Sequence, residues 1–132
     1  MAKLTIEEII AQKEKVRAKS GEQKCLIHIK TLGGELEAHS LSKGDLADVR
    51  EKMNENAKDG TYKLIYMSID DLRDSKLLNA YGCSKQNLKI VERLFPKENE
   101  LFAVADIIKG LNGLNILEPG EIYRKEIEDL KN

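Results

Sequence analysis

Between Lys24 and His39 the chain alternates apolar and polar residues at period two, with Lys24-Cys25-Leu26-Ile27-His28-Ile29-Lys30-Thr31-Leu32 before Gly33-Gly34 and Glu35-Leu36-Glu37-Ala38-His39 after it. Period two is the spacing of a half-buried strand, and a glycine pair between two such runs permits the backbone angles of a tight turn. The segment therefore reads as a β-hairpin. With Gly33 and Gly34 as the turn residues, Ile29 stands opposite Ala38, Thr31 opposite Leu36, Lys30 opposite Glu37 and His28 opposite His39.

Around the hairpin the signals are mostly helical. Thr5-Ile6-Glu7-Glu8 is a capping box with Leu4 and Ile9 as its hydrophobic staple, Ile6, Ile9, Ile10 and Val16 share one face, and Ser20-Gly21 is a stop. This predicts a helix over residues 6–18. Ser42 and Asp45 form a second capping pair, with Leu41 stapling to Leu46. The stripe Leu46, Val49, Met53 runs on to Lys58-Asp59-Gly60, which is expected to end it. Tyr62-Lys63-Leu64-Ile65-Tyr66-Met67 is apolar at nearly every position and fits a buried strand or a buried helix. Asp70-Asp71 reads as helix capping, and Asp74-Ser75 opens a short helix that Gly82 closes in the left-handed conformation. Ser84 is expected to cap a helix bearing Leu88, Val91, Leu94 and Phe95, ended by Pro96; Asn99 begins another that fades into Gly110 and Gly113. Glu118-Pro119-Gly120 reads as a hinge before a last amphipathic segment, Ile122, Tyr123, Ile127 and Leu130. The expected fold is α+β, mainly short α-helices with one N-terminal β-hairpin (about residues 24–39). One small domain over 1–118 would be followed by a C-terminal amphipathic helix or tail over 119–132.

Several function classes fall away. In 132 residues, 22 basic and 23 acidic side chains give a net charge of −1, which argues against a general nucleic-acid or membrane binder. The longest apolar run, Leu101 to Ala105, is far short of the roughly 20 residues of a membrane span. The N-terminus turns acidic at Glu7 and Glu8, too early for a secretory signal, and Cys25 and Cys83 are too few for a disulfide framework. A cytoplasmic protein is expected. Cys25, His28, His39 and Cys83 are metal-ligand types, but strand parity points Cys25 and His28 to opposite faces, so no metal site is expected. No nucleophile motif or phosphate loop is present, and neither catalytic residues nor a cofactor is expected. A basic zone (Lys13, Lys15, Arg17, Lys19, Lys24, Lys30) and Gly110-Leu111-Asn112-Gly113 are weak handles for nucleic acid; solvated helix pairs and a helix end explain them as well. Residues 1–30 hold seven basic and four acidic groups, whereas 98–132 hold four and eight, a bias that allows head-to-tail self-association.

Leu101-Phe102-Ala103-Val104-Ala105 is apolar almost all round, as a central core helix would be, or a patch that accepts another chain's hydrophobic segment. The run Leu72, Leu77, Tyr81-Gly82, then Ile90-Val91, Leu94-Phe95, then Glu100-Leu101 and Ile108, with the opening Leu4-Thr5-Ile6-Glu7-Glu8-Ile9-Ile10, resembles the XkdN-like tail assembly chaperones of phages and of defective prophages such as PBSX. The resemblance spans most of the chain, and departs from the family pattern at Cys83-Ser84, where a proline is missing, and at Lys97-Glu98-Asn99. It implies a non-enzymatic assembly factor of the bacterial host cytoplasm that keeps the tape measure protein soluble until tail tube protein polymerises around it. It further implies a frameshifted longer form of the same product and absence from the mature virion. It also favours helix over residues 61–68. The expected client-facing set is Phe102, Ile107, Ile108, Leu111, Leu114, Tyr123 and Ile127. A minor structural tail component and a small nucleic-acid-binding regulator are the alternatives.

Overall fold

The computed structural model describes residues 3–127. Its elements are α1 (Ile6–Ala11), α2 (Lys13–Ser20), β1 (Lys24–Ile29), β2 (Gly34–His39), α3 (Lys43–Glu55), α4 (Ala57–Ser68), α5 (Ser75–Ala80), α6 (Lys89–Leu94) and α7 (Glu98–Leu111). The class is α+β: among the described residues there are seven α-helices and one two-stranded antiparallel sheet.

The Thr5 capping box forms, with the Glu8 amide donating to Thr5 Oγ1 and the Thr5 amide donating to Glu8 Oε1, each at 3.1 Å. The single helix expected over 6–18 is instead two short helices that meet at Gln12 and run on to Ser20.

In the hairpin the register differs from the expected one. Lys30–Leu32 wind into a single 3-10 turn, and Gly33, at φ 75°, closes the loop by donating to the Ile29 and Lys30 carbonyls. A loop of four residues rather than two moves every pair. Cys25 faces Ala38, Ile27 faces Leu36, His28 faces Glu35 and Lys24 faces His39, while Lys30 and Thr31 have no strand partner. The displacement is by an even number of residues, so side-chain faces are kept. Ile27, Ile29 and Ala38 are buried together, as the alternation demands. Thr31 donates to Glu100 of α7 at 2.9 Å and ties the loop to a distant helix.

Ser42 caps α3 by accepting from the Asp45 amide, but α3 ends at Glu55, before Lys58-Asp59-Gly60. Those three residues belong to α4, which Asn56 caps by accepting from the Asp59 amide. Gly60 is a contact point instead of a terminator: a Cβ there would sit 2.6 Å from Met53 Cα and 2.7 Å from Met53 N. Only a residue without a side chain lets α3 and α4 approach so closely. Residues 61–68 are helical, as the family resemblance favoured. A helix apolar nearly all round needs neighbours on every side. α4 accordingly packs against α3, α6 and α7.

Asp70–Arg73 form a 3-10 turn in which Asp70 does not cap; its carboxylate meets His39 and Arg73. Arg73 also donates to the Tyr66 and Met67 carbonyls at 2.9 Å, occupying backbone acceptors that the end of α4 leaves open. Asp74 caps α5 and Gly82 takes the left-handed conformation at φ 69°, both as expected. The helix expected from Ser84 begins only at Lys89, after turns. α7 begins at Glu98, one residue ahead of Asn99, and ends before Gly113 at φ 70°. The core is mainly aliphatic: Leu64, Ile65, Ile69, Ile90, Val91, Leu101 and Ile108 are buried in one cluster with Phe95. No helix is long and apolar enough to cross a membrane among the described residues. Of the amphipathic helix or tail expected over 119–132, residues 119–126 are not helical, and Leu130 lies outside the described residues.

Candidate protein-binding surface

α7 presents two faces at helical spacing. Leu101, Val104, Ala105 and Ile108 point into the core, and Phe102 and Ile107 point to solvent with about half of their surfaces exposed. Ile108 is fully buried, so it belongs to the core and not to the client-facing set. Leu111 and Leu114 are half-buried at the end of the helix. Tyr123 and Ile127 are exposed in the segment beyond it, together with Ile116, Leu117 and Ile122. The expected set is therefore split: Phe102 and Ile107 on one helix face, Leu111 and Leu114 at its end, and Tyr123 and Ile127 further along the chain.

The sequence reading missed a second apolar surface. Every residue from 3 to 24 is exposed, so Leu4, Ile6, Ile9, Ile10 and Val16 line an arm whose stripe covers nothing. A signal was available. Beyond Gln12 the arm carries Val16 as its one large apolar residue among Lys13, Glu14, Lys15, Arg17 and Lys19, too little to hold two helical turns against a core.

The arm joins the body through a pair of bonds. The Gln23 amide donates to Ser40 Oγ, and the Ser40 amide donates to the Gln23 carbonyl, each at 2.8 Å. Beside this junction an open cleft of about 700 Å³ lies between the end of α2, residues 40–42, Leu46 and residues 110–113. Asn112 forms part of its wall and acts as a clamp. Its Oδ1 accepts from the Leu41 amide at 2.7 Å, while its Nδ2 donates to the Ile108 carbonyl at 2.8 Å. Gly110 and Gly113 thus serve a helix end.

His39 fastens the other side of the hairpin. Its Nε2 lies 2.7 Å from Asp70 Oδ1 and its Nδ1 lies 2.9 Å from the Ser40 carbonyl, with Glu22 at 4.0 Å. Partial burial of the ring opposes its charged form, but the Ser40 carbonyl, Asp70 and Glu22 outweigh it and raise the pKa above the ordinary histidine value. The His39 hydrogen bond lowers the Asp70 pKa; desolvation opposes it, and the Arg73 contact adds to the lowering. Both ring nitrogens face acceptors, so this pair does not offer the free nitrogen that a general base for a nucleophile requires. Comparison with family models, with curated proteins and with solved structures returns no match. Among the described residues no group of three or more His, Cys, Asp and Glu side chains could hold a metal ion, and Cys25 and Cys83 are free thiols.

Proposed function

We propose that this chain is a phage or prophage tail assembly chaperone that binds the tape measure protein and keeps it soluble while the tail is built. One observation carries the reading. Of the fifteen large apolar side chains exposed among the described residues, ten lie in two segments outside the core, residues 3–20 and 115–127. Apolar side chains left uncovered in this number support a binding role toward another polypeptide. A tape measure protein, read as a long helix-rich chain, offers amphipathic stripes that would aggregate if left bare. Many copies of a small protein could cover such stripes by mass action, and modest affinity per copy suits later displacement by tail tube protein. The sequence resemblance to XkdN-like chaperones points the same way. On this reading the protein works in the host cytoplasm, alongside a frameshifted longer form, and is absent from the finished particle.

Co-expression with the tape measure protein tests the assignment. Phe102→Asp, Ile107→Asp, Tyr123→Asp and Ile127→Asp change exposed positions and leave the core intact. Combined in one chain, they are expected to move the tape measure protein from the soluble fraction to the pellet. Unchanged solubility with a folded variant overturns the assignment. Mass spectrometry of purified particles separates this role from that of a structural component, which would remain in them.

A further inference from the structure

Ser40 uses its amide, hydroxyl and carbonyl to hold three other parts of the chain. The Gln23 amide donates to its Oγ, and its own amide donates to the Gln23 carbonyl. Among the described residues no other hydrogen bond joins residues 3–23 to the body. The Ser40 carbonyl faces His39 Nδ1 at 2.9 Å. The peptide unit that carries this carbonyl also carries the Leu41 amide, which donates to Asn112 Oδ1 at 2.7 Å. A peptide unit is planar, so His39 on one side and Asn112 on the other fix its orientation.

The second ring nitrogen of His39, Nε2, lies 2.7 Å from Asp70 Oδ1. A carbonyl and a carboxylate both accept, and only a ring protonated on both nitrogens donates to the two at once. A neutral ring carries one N–H. Hydrogen bonds to an ionised acceptor are the stronger kind, so that N–H stays with Asp70 and the Nδ1 lone pair is turned toward the Ser40 carbonyl. Two acceptors 2.9 Å apart repel, and the peptide unit is pushed out of place. The groups around the ring favour its charged form. Glu22 approaches from the root of the arm at 4.0 Å, Glu37 lies on β2, and Asp70 and Asp71 come from the turn after α4, against Lys24 on β1 and Arg73, which meets Asp70. Partial burial works against the charge, but Ser40, Asp70 and Glu22 outweigh it and raise the pKa of the ring.

We infer that His39 is a pH-sensitive latch on the arm: protonated on both nitrogens it fixes the Ser40 peptide and with it the two bonds to Gln23, and on losing a proton it lets the root of the arm come away from the body. The latch is closed at low pH and opens as pH rises through the His39 titration.

Hydrogen exchange by NMR on the full chain, read at the Gln23 and Ser40 amides between about pH 5 and about pH 9, tests the latch. With each rate divided by the intrinsic rate at its pH, protection of both amides is expected to fall about three- to tenfold, the range that the net contribution of one hydrogen bond allows. The midpoint should coincide with the His39 titration, followed by the shifts of its ring nitrogens. The Gly60 amide, bonded to the Asn56 carbonyl at 3.0 Å, should keep its protection throughout. In His39→Gln the pH dependence should vanish. In Asp70→Asn, which removes a charge that favours the imidazolium, it should move to lower pH; circular dichroism checks that both variants fold. Protection that stays flat in the wild type overturns the inference, as does a midpoint that departs from that of His39 or a parallel fall at Gly60. So does a pH dependence that survives His39→Gln or stays in place in Asp70→Asn.

Discussion

The interior and the ends of this chain use the same aliphatic residues and treat them in opposite ways. Leu64, Ile65, Ile90, Val91 and Ile108 have essentially no exposed surface, whereas Ile6, Ile9, Ile10, Ile116 and Ile122 stand mostly in water. Residue type does not separate the two sets. The density of apolar residues along each segment does. α4 and α7 present apolar side chains on enough of their circumference to gather neighbours, while the stripe of the arm runs into Lys13 and Arg17 and the segment after Leu114 alternates with Glu118, Glu121 and Arg124.

That contrast can be broken by substitution. The largest expected effect is at α7, where adjacent residues sit on opposite sides of the divide. Ile108→Ala should cost about 3 to 4 kcal/mol through lost burial and a cavity, and Ile107→Ala should stay within about 0.5 kcal/mol. Equal losses in urea denaturation would mean that the helix is wrongly oriented. Glycines give a second pair. Gly60→Ala should cost about 2 to 3 kcal/mol because its Cβ meets the Met53 backbone. Gly21→Ala, whose Cβ would find only the Ala18 carbonyl at 3.7 Å, should be nearly silent. At the boundary, Asn112→Ala strips the Leu41 amide of its acceptor and should cost about 1 to 2 kcal/mol. Inside the core the Ser68 hydroxyl is buried without a hydrogen-bond partner among the described residues, so Ser68→Ala is expected to raise stability by about 0.5 to 1 kcal/mol; a loss would point to a hydrogen bond that the hydroxyl makes.

The smallest effect is that of pH on the His39–Asp70 contact, which is partly exposed to solvent and weakened accordingly. The folded-state pKa of His39 is raised, so its contribution is complete below the ordinary histidine value and is lost as pH rises through the raised one. The pKa of Asp70 is lowered, so its contribution is present above the ordinary aspartate value and is lost as pH falls through the lowered one. The urea midpoint of the wild type relative to His39→Gln should decline through the first of these ranges. A relative midpoint that climbs there would contradict the assigned contacts.

Local signals carried far into this structure. The capping box at Thr5, the caps at Ser42 and Asp74 and the glycine at Gly82 each depend on a few neighbouring residues, and each formed as the sequence implies. Hairpin faces were legible because period two fixes them. Register was not, since the loop conformation includes a bond from Thr31 to a residue of α7. Gly60 was misread for a related reason: locally glycine signals a stop, and only the opposing helix reveals a requirement for close approach. Within the candidate surface, Ile108 follows Leu101, Val104 and Ala105 at helical spacing, so its place on the inner face was legible in the sequence even though the expected client-facing set included it. The arm was the largest omission. An amphipathic stripe states that a face favours cover, and says nothing about whether the same chain supplies it.

Asn112 sits where the ordered body gives way to the exposed C-terminal segment. Its Oδ1 holds the Leu41 amide and its Nδ2 holds the Ile108 carbonyl, so one side chain joins the end of α7 to the segment that leads into α3, next to the root of the arm.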